Sequence, residues 1–187
     1  MSGSKEEMGV DVAEKSEPKQ WWTKPAARFI VISLMLSSSG YLLSIATITV
    51  ISADDPIQTF PEKCPQNSGN CVQIGPTYHR SEGLQILRFE APLDEIEGAA
   101  YRWIEEQPRT EILFDAPDLT HAVFVTSFWR FRDDFVIQTF CDENETVIWI
   151  HSASRIGMGD LGVNPSRVKS FHEHMLAQTF TKGNCSA

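Results

Sequence analysis

The sequence predicts an α+β domain preceded by a single transmembrane helix. Two observations carry this prediction: 25 consecutive uncharged residues at 29–53, and after them short runs rich in β-branched and aromatic residues that alternate with two amphipathic helices. We expect a mostly antiparallel sheet of four to five strands, with both helices packed on one face. The 134 residues at 54–187 are enough for one such soluble domain.

A polar leader occupies residues 1–28. Its five basic and five acidic side chains cancel, and it has too little apolar content to offset the entropy of ordering, so we expect it to be disordered. The net charge of -9 therefore lies in the domain, where 11 basic residues oppose 20 acidic ones. This acid excess opposes nucleic acid and anionic headgroups, and favours proteins or small ligands as partners.

The uncharged run at 29–53 is long enough for a helix to cross a bilayer, which takes about 20 residues. Trp21 and Trp22 precede it, and Lys24 and Arg28 give its N-terminal side the positive charge typical of the cytoplasm, matrix or stroma. We therefore expect the domain in a lumen, periplasm or intermembrane space. The inner membrane of an organelle and the thylakoid membrane both fit this prediction.

Small residues recur along the run at steps of four and three, which places them on one stripe of a helix. They are Ser33, Ser37, Gly40, Ser44 and Thr47. Small side chains allow helices in lipid to approach closely, so the stripe is a candidate contact face for other membrane protein subunits. The alternative is that these hydroxyls bond only to carbonyls of their own helix.

All four cysteines fall in the domain placed outside, where disulfides persist. Cys64 and Cys71 bracket a turn-forming segment and are candidates for a local disulfide, which would leave Cys141 and Cys185 as the second pair. Three pairings are possible in principle. A zinc site is disfavoured because the spacing contains no close pair of the C-x-x-C type.

The domain elements follow from periodicity and turn residues. A helix is predicted at 92–107, and a second begins with Asn164 as N-cap and Pro165 in its first turn. Polar breaks at 132–134 and 142–145 are read as hairpin turns. Strands are predicted at 84–90, 110–115, 121–131, 135–141 and 146–152.

The segment between the last strand and the last helix is the candidate binding site. Its glycines satisfy G-x-G-x-x-G, but the helix opens only after them, so we assign them to turns and not to a dinucleotide site. Arg155, with Ser152, Ser154, Asp160 and Asn164 nearby in sequence, is a candidate anchor for a carboxylate or phosphate. The favoured alternative is an internal ion pair between Arg155 and Asp160.

Metal and hydrolase chemistry find little support. His172 and His174 point to different sides of a helix, whereas His121 and His151 lie in strands and could approach each other across the sheet. The sequence contains no nucleophile elbow of the G-x-S-x-G type. We therefore expect no metal and no cofactor, and an enzymatic activity is disfavoured but stays open.

Three sequence segments carry a family resemblance. They are 64–72 (CPQNSGNCV), 128–134 (FWRFRDD) and 152–164 (SASRIGMGDLGVN). Together they resemble the domain-of-unknown-function family one-four-nine-nine (DUF1499) from about Cys64 to Phe180. Ser68-Gly69 and Met158-Gly159 depart from the residues common in that family. The resemblance implies a single domain in which the 154–164 loop is important, and it implies no activity.

Three functional hypotheses follow, of which the third is a lipid-handling domain at the membrane surface. The first is an accessory, structural or assembly subunit of a larger membrane protein complex, held by the bilayer and by the small-residue stripe. The second is a small-ligand-binding or hydrolytic domain that uses the 152–164 loop.

Overall fold

The computed structural model describes residues 24–52 and 55–185. They belong to two compact units, Met1–Tyr41 and Leu42–Ala187. The helices are α1 (Pro25–Ile51), α2 (Leu93–Glu105) and α3 (Val163–Ala177). The strands are β1 (Cys71–Ile74), β2 (Tyr78–His79), β3 (Leu87–Phe89), β4 (Thr110–Ala116), β5 (Leu119–Val125), β6 (Arg132–Asp142) and β7 (Glu145–Ser154).

Helix α1 has 27 residues and is long and apolar enough to cross a membrane. A signal sequence near the N-terminus can have the same length and apolar composition. Helix α1 begins four residues before the predicted start, at Pro25, because proline is favourable in a first helical turn, where its missing N–H is not needed. None of its residues is buried. The leader prediction lies outside the described residues up to position 23.

The sheet is antiparallel at every strand pair, as predicted, with the order β2-β1-β7-β6-β5-β4. Strand β3 pairs with β7 as well, on residues that β1 leaves unpaired. The prediction of four to five strands is wrong, because the described residues form seven. Strands β1 and β2 have only four and two residues, too few to produce an alternating pattern in the sequence.

The prediction of a hairpin turn at 132–134 is wrong. Arg132, Asp133 and Asp134 are the first residues of β6, and the turn lies earlier, at residues 126–131. There the amide of Thr126 donates to the carbonyl of Phe131 and the amide of Phe131 donates to the Thr126 hydroxyl. The strand tolerates its two acids because each is paired with a guanidinium, Asp133 with Arg167 and Asp134 with Arg155. The other predicted turn, at 142–145, joins β6 to β7.

Helices α2 and α3 cover one face of the sheet. Trp103 of α2 and Phe171 of α3 pack against each other and against Phe135 of β6, with ring centroids 5.0 to 5.7 Å apart. Phe135 and Phe171 are fully buried. Helix α3 begins one residue before the predicted N-cap, after Gly162, whose φ of 81° is a left-handed conformation suited to glycine.

The opposite face is crossed by residues 55–64, which we call the strap. The amide of Ile57 donates to Nδ1 of His121 on β5 at 2.9 Å, and Phe60 packs against Trp149 of β7. The side-chain amide of Gln73 donates to two strap carbonyls at 3.1 Å. The strap therefore covers part of the second face, over β1, β5 and β7.

Two disulfides fasten the chain ends to the sheet. Cys64, at the end of the strap, bonds to Cys71 of β1, and Cys141 of β6 bonds to Cys185. Among the three possible pairings, the structure thus has the local disulfide and the pair that it leaves. Both bonds are consistent with an oxidising compartment.

Candidate functional site

The candidate site is built on two consecutive acids of β6. Successive strand residues point to opposite faces, so Asp133 faces the helices and Asp134 faces the strap. Both lie beside the end of β7, since Asp133 pairs with Ser154 and Asp134 with Ala153 in the sheet register. Each acid organises a separate polar network, and the two networks together hold the 152–164 loop.

On the helix face, Asp133 binds Arg167 of α3. The guanidinium nitrogen and the carboxylate oxygen lie 2.8 Å apart, and the exposed fractions of the two side chains are 9% and 2%. The same guanidinium stacks over the ring of Phe124, 4.5 Å from its centroid. It also donates to Ser152 Oγ at 3.1 Å. This buried pair ties α3 to the centre of the sheet.

Asn164 completes the helix-face network and does not cap α3 with its side chain. Its Oδ1 accepts from Ser152 Oγ at 2.7 Å and from Arg167. Its Nδ2 donates to the carbonyl of Asn70 and to Ser154 Oγ, both at 3.0 Å. Asn164 is fully buried, so one amide joins β7, α3 and the residue before β1.

On the strap face, Asp134 accepts hydrogen bonds from Arg155 at 2.7 and 3.0 Å and from His121 Nε2 at 2.8 Å. Because His121 Nδ1 accepts from Ile57, its Nε2 carries the proton given to Asp134. Burial alone would raise the pKa of Asp134, but the hydrogen bonds from His121 and Arg155 outweigh burial and lower it.

The expectation of an ion pair between Arg155 and Asp160 is wrong. Arg155 binds Asp134, and Asp160 is held by Arg80, whose two terminal nitrogens donate to its oxygens at 3.2 and 3.0 Å. Asp160 also accepts from the amides of Gly162 and Asn164. Burial opposes the charged carboxylate, but the bonds from Arg80 and Gly162 prevail and lower the pKa of Asp160.

Two of the three glycines of the loop, Gly157 and Gly162, serve turns, as predicted. Gly157 and Gly162 have φ values of 99° and 81°. Gly159 forms an isolated bridge with Gly69, and a Cβ added at Gly69 would lie 2.7 Å from a backbone oxygen of Met158. The loop backbone therefore packs against the segment before β1 too closely for a side chain.

His121 and His151 lie on the same face, but Val136 of β6 separates them in the register. His151 contacts Cys71 Sγ at 3.8 Å, and burial lowers the pKa of His151 to about 4. Cys64, Cys71 and His151 offer ligand atoms within 4.8 Å of one another. Because both sulfurs belong to the disulfide, they provide no thiolate to a metal in this state.

Sequence reasoning missed a cleft of about 530 Å³ between α2 and strands β4 to β6. Its lining includes Glu97, to which Thr139 donates at 2.8 Å, and Asp115, to which Thr120 donates at 2.9 Å. Burial raises the pKa of Glu97. Glu97 is therefore a partly buried side chain on the sheet side of α2. Helical periodicity could have indicated this position, because Glu97 lies three residues before Ala100 and seven before Ile104, both of which are buried.

The five predicted site residues lie together, and the structure adds Asn70, Arg80, Asp133, Asp134 and Arg167 to them. The segments at 64–72, 128–134 and 152–164 meet at this end of the sheet through Asn70, Asp133 and Asn164. No curated protein matches the chain. Residues 62–175, more than half of the chain, match the family model described as "Protein of unknown function (DUF1499)". The chain therefore belongs to the DUF1499 family.

Proposed function

We propose that this chain is a single-pass membrane protein that acts as a non-enzymatic accessory or assembly subunit of a larger membrane protein complex. Helix α1 spans the bilayer with its N-terminal side in the cytoplasm, matrix or stroma. The domain lies on the opposite side, in a lumen, periplasm or intermembrane space. The positive flank of α1 and the two disulfides of the domain support this orientation.

One observation carries the non-enzymatic role: the polar side chains of the 152–164 loop are engaged by one another and by the rest of the domain. Ser152, Asn164 and Arg167 bond among themselves, while Asp160 and Arg155 each bind an oppositely charged partner. A catalytic or ligand-binding group needs a side chain turned toward an accessible ligand. These side chains instead hold the fold.

Helix α1 supports contact with another membrane helix. Ser37 and Thr47 on the stripe donate to carbonyls of their own helix, at 3.1 and 2.9 Å, as the alternative reading of these hydroxyls required. This satisfies their hydroxyls without preventing close approach of a second helix. A Cβ added at Gly40 would meet no atom within 4 Å. At Ser37, Gly40 and Thr47 the stripe is therefore shallow, and its two hydroxyls there are already hydrogen-bonded.

Crosslinking and affinity purification from native membranes in mild detergent test the proposal. We expect the chain to migrate in an assembly much larger than its 21.0 kDa monomer. Ser37→Leu should weaken this association severalfold because it adds bulk to the stripe. Ser38→Leu is the matched control: its hydroxyl also donates to a carbonyl three residues back, but it lies outside the stripe. A lone monomer, or equal effects of both variants, would contradict the proposal.

The alternative hypothesis, a ligand-binding or hydrolytic domain anchored by Arg155, makes a different prediction. An anion would have to compete with Asp134, which already accepts two hydrogen bonds from this guanidinium. Under our proposal, Arg155→Ala lowers thermal stability, by about 3 kcal/mol, because it leaves a partly buried carboxylate without its main partner. Under the alternative, it abolishes ligand binding and leaves the melting temperature unchanged.

A further inference from the structure

Two loops leave the same end of the sheet. The first, residues 126–131, joins β5 to β6, and the second, residues 155–162, joins β7 to α3. They are adjacent, because the amide of Arg155 donates to the carbonyl of Arg132 at 3.1 Å and Asp133 pairs with Ser154. We call them the tip loops.

The tip loops carry large apolar side chains that are exposed. The exposed fractions are 61% for Phe128, 45% for Trp129, 93% for Met158 and 103% for Leu161. Single exposed apolar residues are common, but four on two adjacent loops form a surface of the kind that contacts a protein or a membrane. Phe128 and Trp129 also pack edge to face, 5.0 Å apart.

The second tip loop holds its apolar side chains on a fixed turn. Leu161 has a φ of 53°, a conformation that side-chain-bearing residues rarely adopt. Asp160, which precedes Leu161, fixes this turn by accepting from the amides of Gly162 and Asn164, which follow it. Leu161 is therefore projected outward by the same buried network that makes up the candidate site.

The tip loops lack the acid excess of the domain. Their only acid is Asp160, which is buried and paired with Arg80. Arg130 is exposed and adds positive charge. The surface of the tip loops is therefore apolar and basic, although the whole chain has a net charge of -9. Headgroup phosphates would not be repelled from it.

The chain leaves α1 at this end of the sheet. Arg155, in the second tip loop, donates to the carbonyl of Ser52, which directly follows the last residue of α1. Five residues later the amide of Ile57 bonds to His121. A chain spans at most about 3.5 Å per residue, so Ser52 at the end of α1 lies within about 18 Å of Ile57, which is bound to the sheet. A bilayer crossed by α1 would lie within reach of the tip loops.

We propose that the tip loops rest in the interfacial layer of the bilayer that α1 crosses, with Phe128, Trp129, Met158 and Leu161 in contact with lipid. This inference rests on the proposed function, because it requires α1 to span the membrane. Aromatic rings favour the depth of the headgroups, and Arg130 is placed to bind a phosphate there. The domain is thereby held in one orientation on the membrane surface.

Fluorescence quenching by brominated phosphatidylcholine tests the inference with the full chain in liposomes. The chain has five tryptophans. Under the proposed function Trp21 and Trp22 are expected near the headgroups, so Trp129 would be one of three quenched tryptophans, and Trp129→Phe should lower the amount of fluorescence lost to the quencher by about a third. Trp149→Phe is the control, because Trp149 packs against Phe60 and Phe140 on the strap face.

Two outcomes separate this inference from the proposed function. If Trp129→Phe lowers the amount of quenched fluorescence no more than Trp149→Phe does, while the protein resists extraction by alkaline carbonate, the docking of the loops is overturned and the anchor stands. If carbonate releases the protein, the membrane-spanning proposal itself fails. Leu161→Ser should also reduce quenching of Trp129, whereas Leu176→Ser, at an exposed position on α3, should not.

Discussion

The ion pair between Asp133 and Arg167 should be a main source of stability for the domain. Asp133 and Arg167 are almost completely buried, with a 2.8 Å contact between charged atoms. Asp133→Ala leaves the guanidinium of Arg167 in the interior without its carboxylate, although Asn164 and Ser152 still accept from it. Breaking a buried pair in this way costs about 3 to 5 kcal/mol. A domain stable by about 5 to 15 kcal/mol would lose a large part of its stability.

Asp142→Ala is a matched control on the same strand. Asp142 also binds an arginine, Arg88, at 2.7 Å, but their side chains are 46% and 44% exposed. Solvent screens this pair, so its loss should have little effect. The assay is urea denaturation of the full chain in detergent micelles, followed by tryptophan fluorescence. Equal shifts of the two urea midpoints would refute the argument that burial determines the value of the Asp133 pair.

Three further predictions concern pH, close packing and covalent bonding. The pKa of His151 falls from 6.5 to about 4 on folding, so the unfolded chain takes up the proton first as the pH is lowered. The free energy of unfolding should therefore decrease by about 3 kcal/mol between pH 6.5 and pH 4. His151→Gln should make this decrease smaller, as measured by urea titrations at a series of pH values. Gly69→Ala should lower the melting temperature and cost about 1 to 3 kcal/mol of stability, because the added Cβ would meet a backbone oxygen. Gly159→Ala should be nearly neutral, because a Cβ at Gly159 would meet no atom within 4 Å. Replacing Cys141 and Cys185 by serine should cost about 4 kcal/mol by loop entropy, against about 2.5 kcal/mol for the shorter local disulfide, and calorimetry of both double variants would show whether this order holds.

Periodicity predicted the helices and most of the sheet. Helix α2 was expected at 92–107 and spans Leu93–Glu105, because apolar residues spaced by three and four define its buried face. The strand expected at 146–152 lies within β7, Glu145–Ser154, for the analogous reason that its residues are β-branched and aromatic. In both elements the local pattern and the tertiary contacts favour the same structure, so the sequence alone was sufficient.

The start of β6 could not be predicted by the same reasoning. Arg132, Asp133 and Asp134 have the composition of a turn, and only partners distant in sequence make them compatible with a strand. Asp134 is 21 residues from Arg155, and Asp133 is 34 residues from Arg167. Local composition carries no information about such partners. The alternation of side chains along a strand was one available signal, because two adjacent acids on a strand must face opposite sides of the sheet.

The same limit explains the error about Arg155 and Asp160. They lie in one loop, and proximity in sequence favoured their pairing, but Asp160 binds Arg80, which is 80 residues away and follows β2. Strand β2 has two residues and was not predicted. Without β2 there was no reason to place Arg80 at this end of the sheet. The missed strand and the wrong ion pair therefore have one cause.

The two proposals assign different tasks to neighbouring residues of one loop. Asp160 is buried and fixes the turn, whereas Leu161 is fully exposed on that turn. Substitution of Asp160 by asparagine should therefore lower stability, most of all at pH values above the acid range, where the Asp160 carboxylate is charged. Because the pKa of Asp160 is lowered in the folded state, the stability that its charge provides is lost as the pH falls. Substitution of Leu161 by serine should leave stability unchanged or raise it slightly by relieving an exposed apolar group, and should reduce contact with lipid. If both variants changed stability alike, the division between a buried scaffold and an exposed contact surface would not hold.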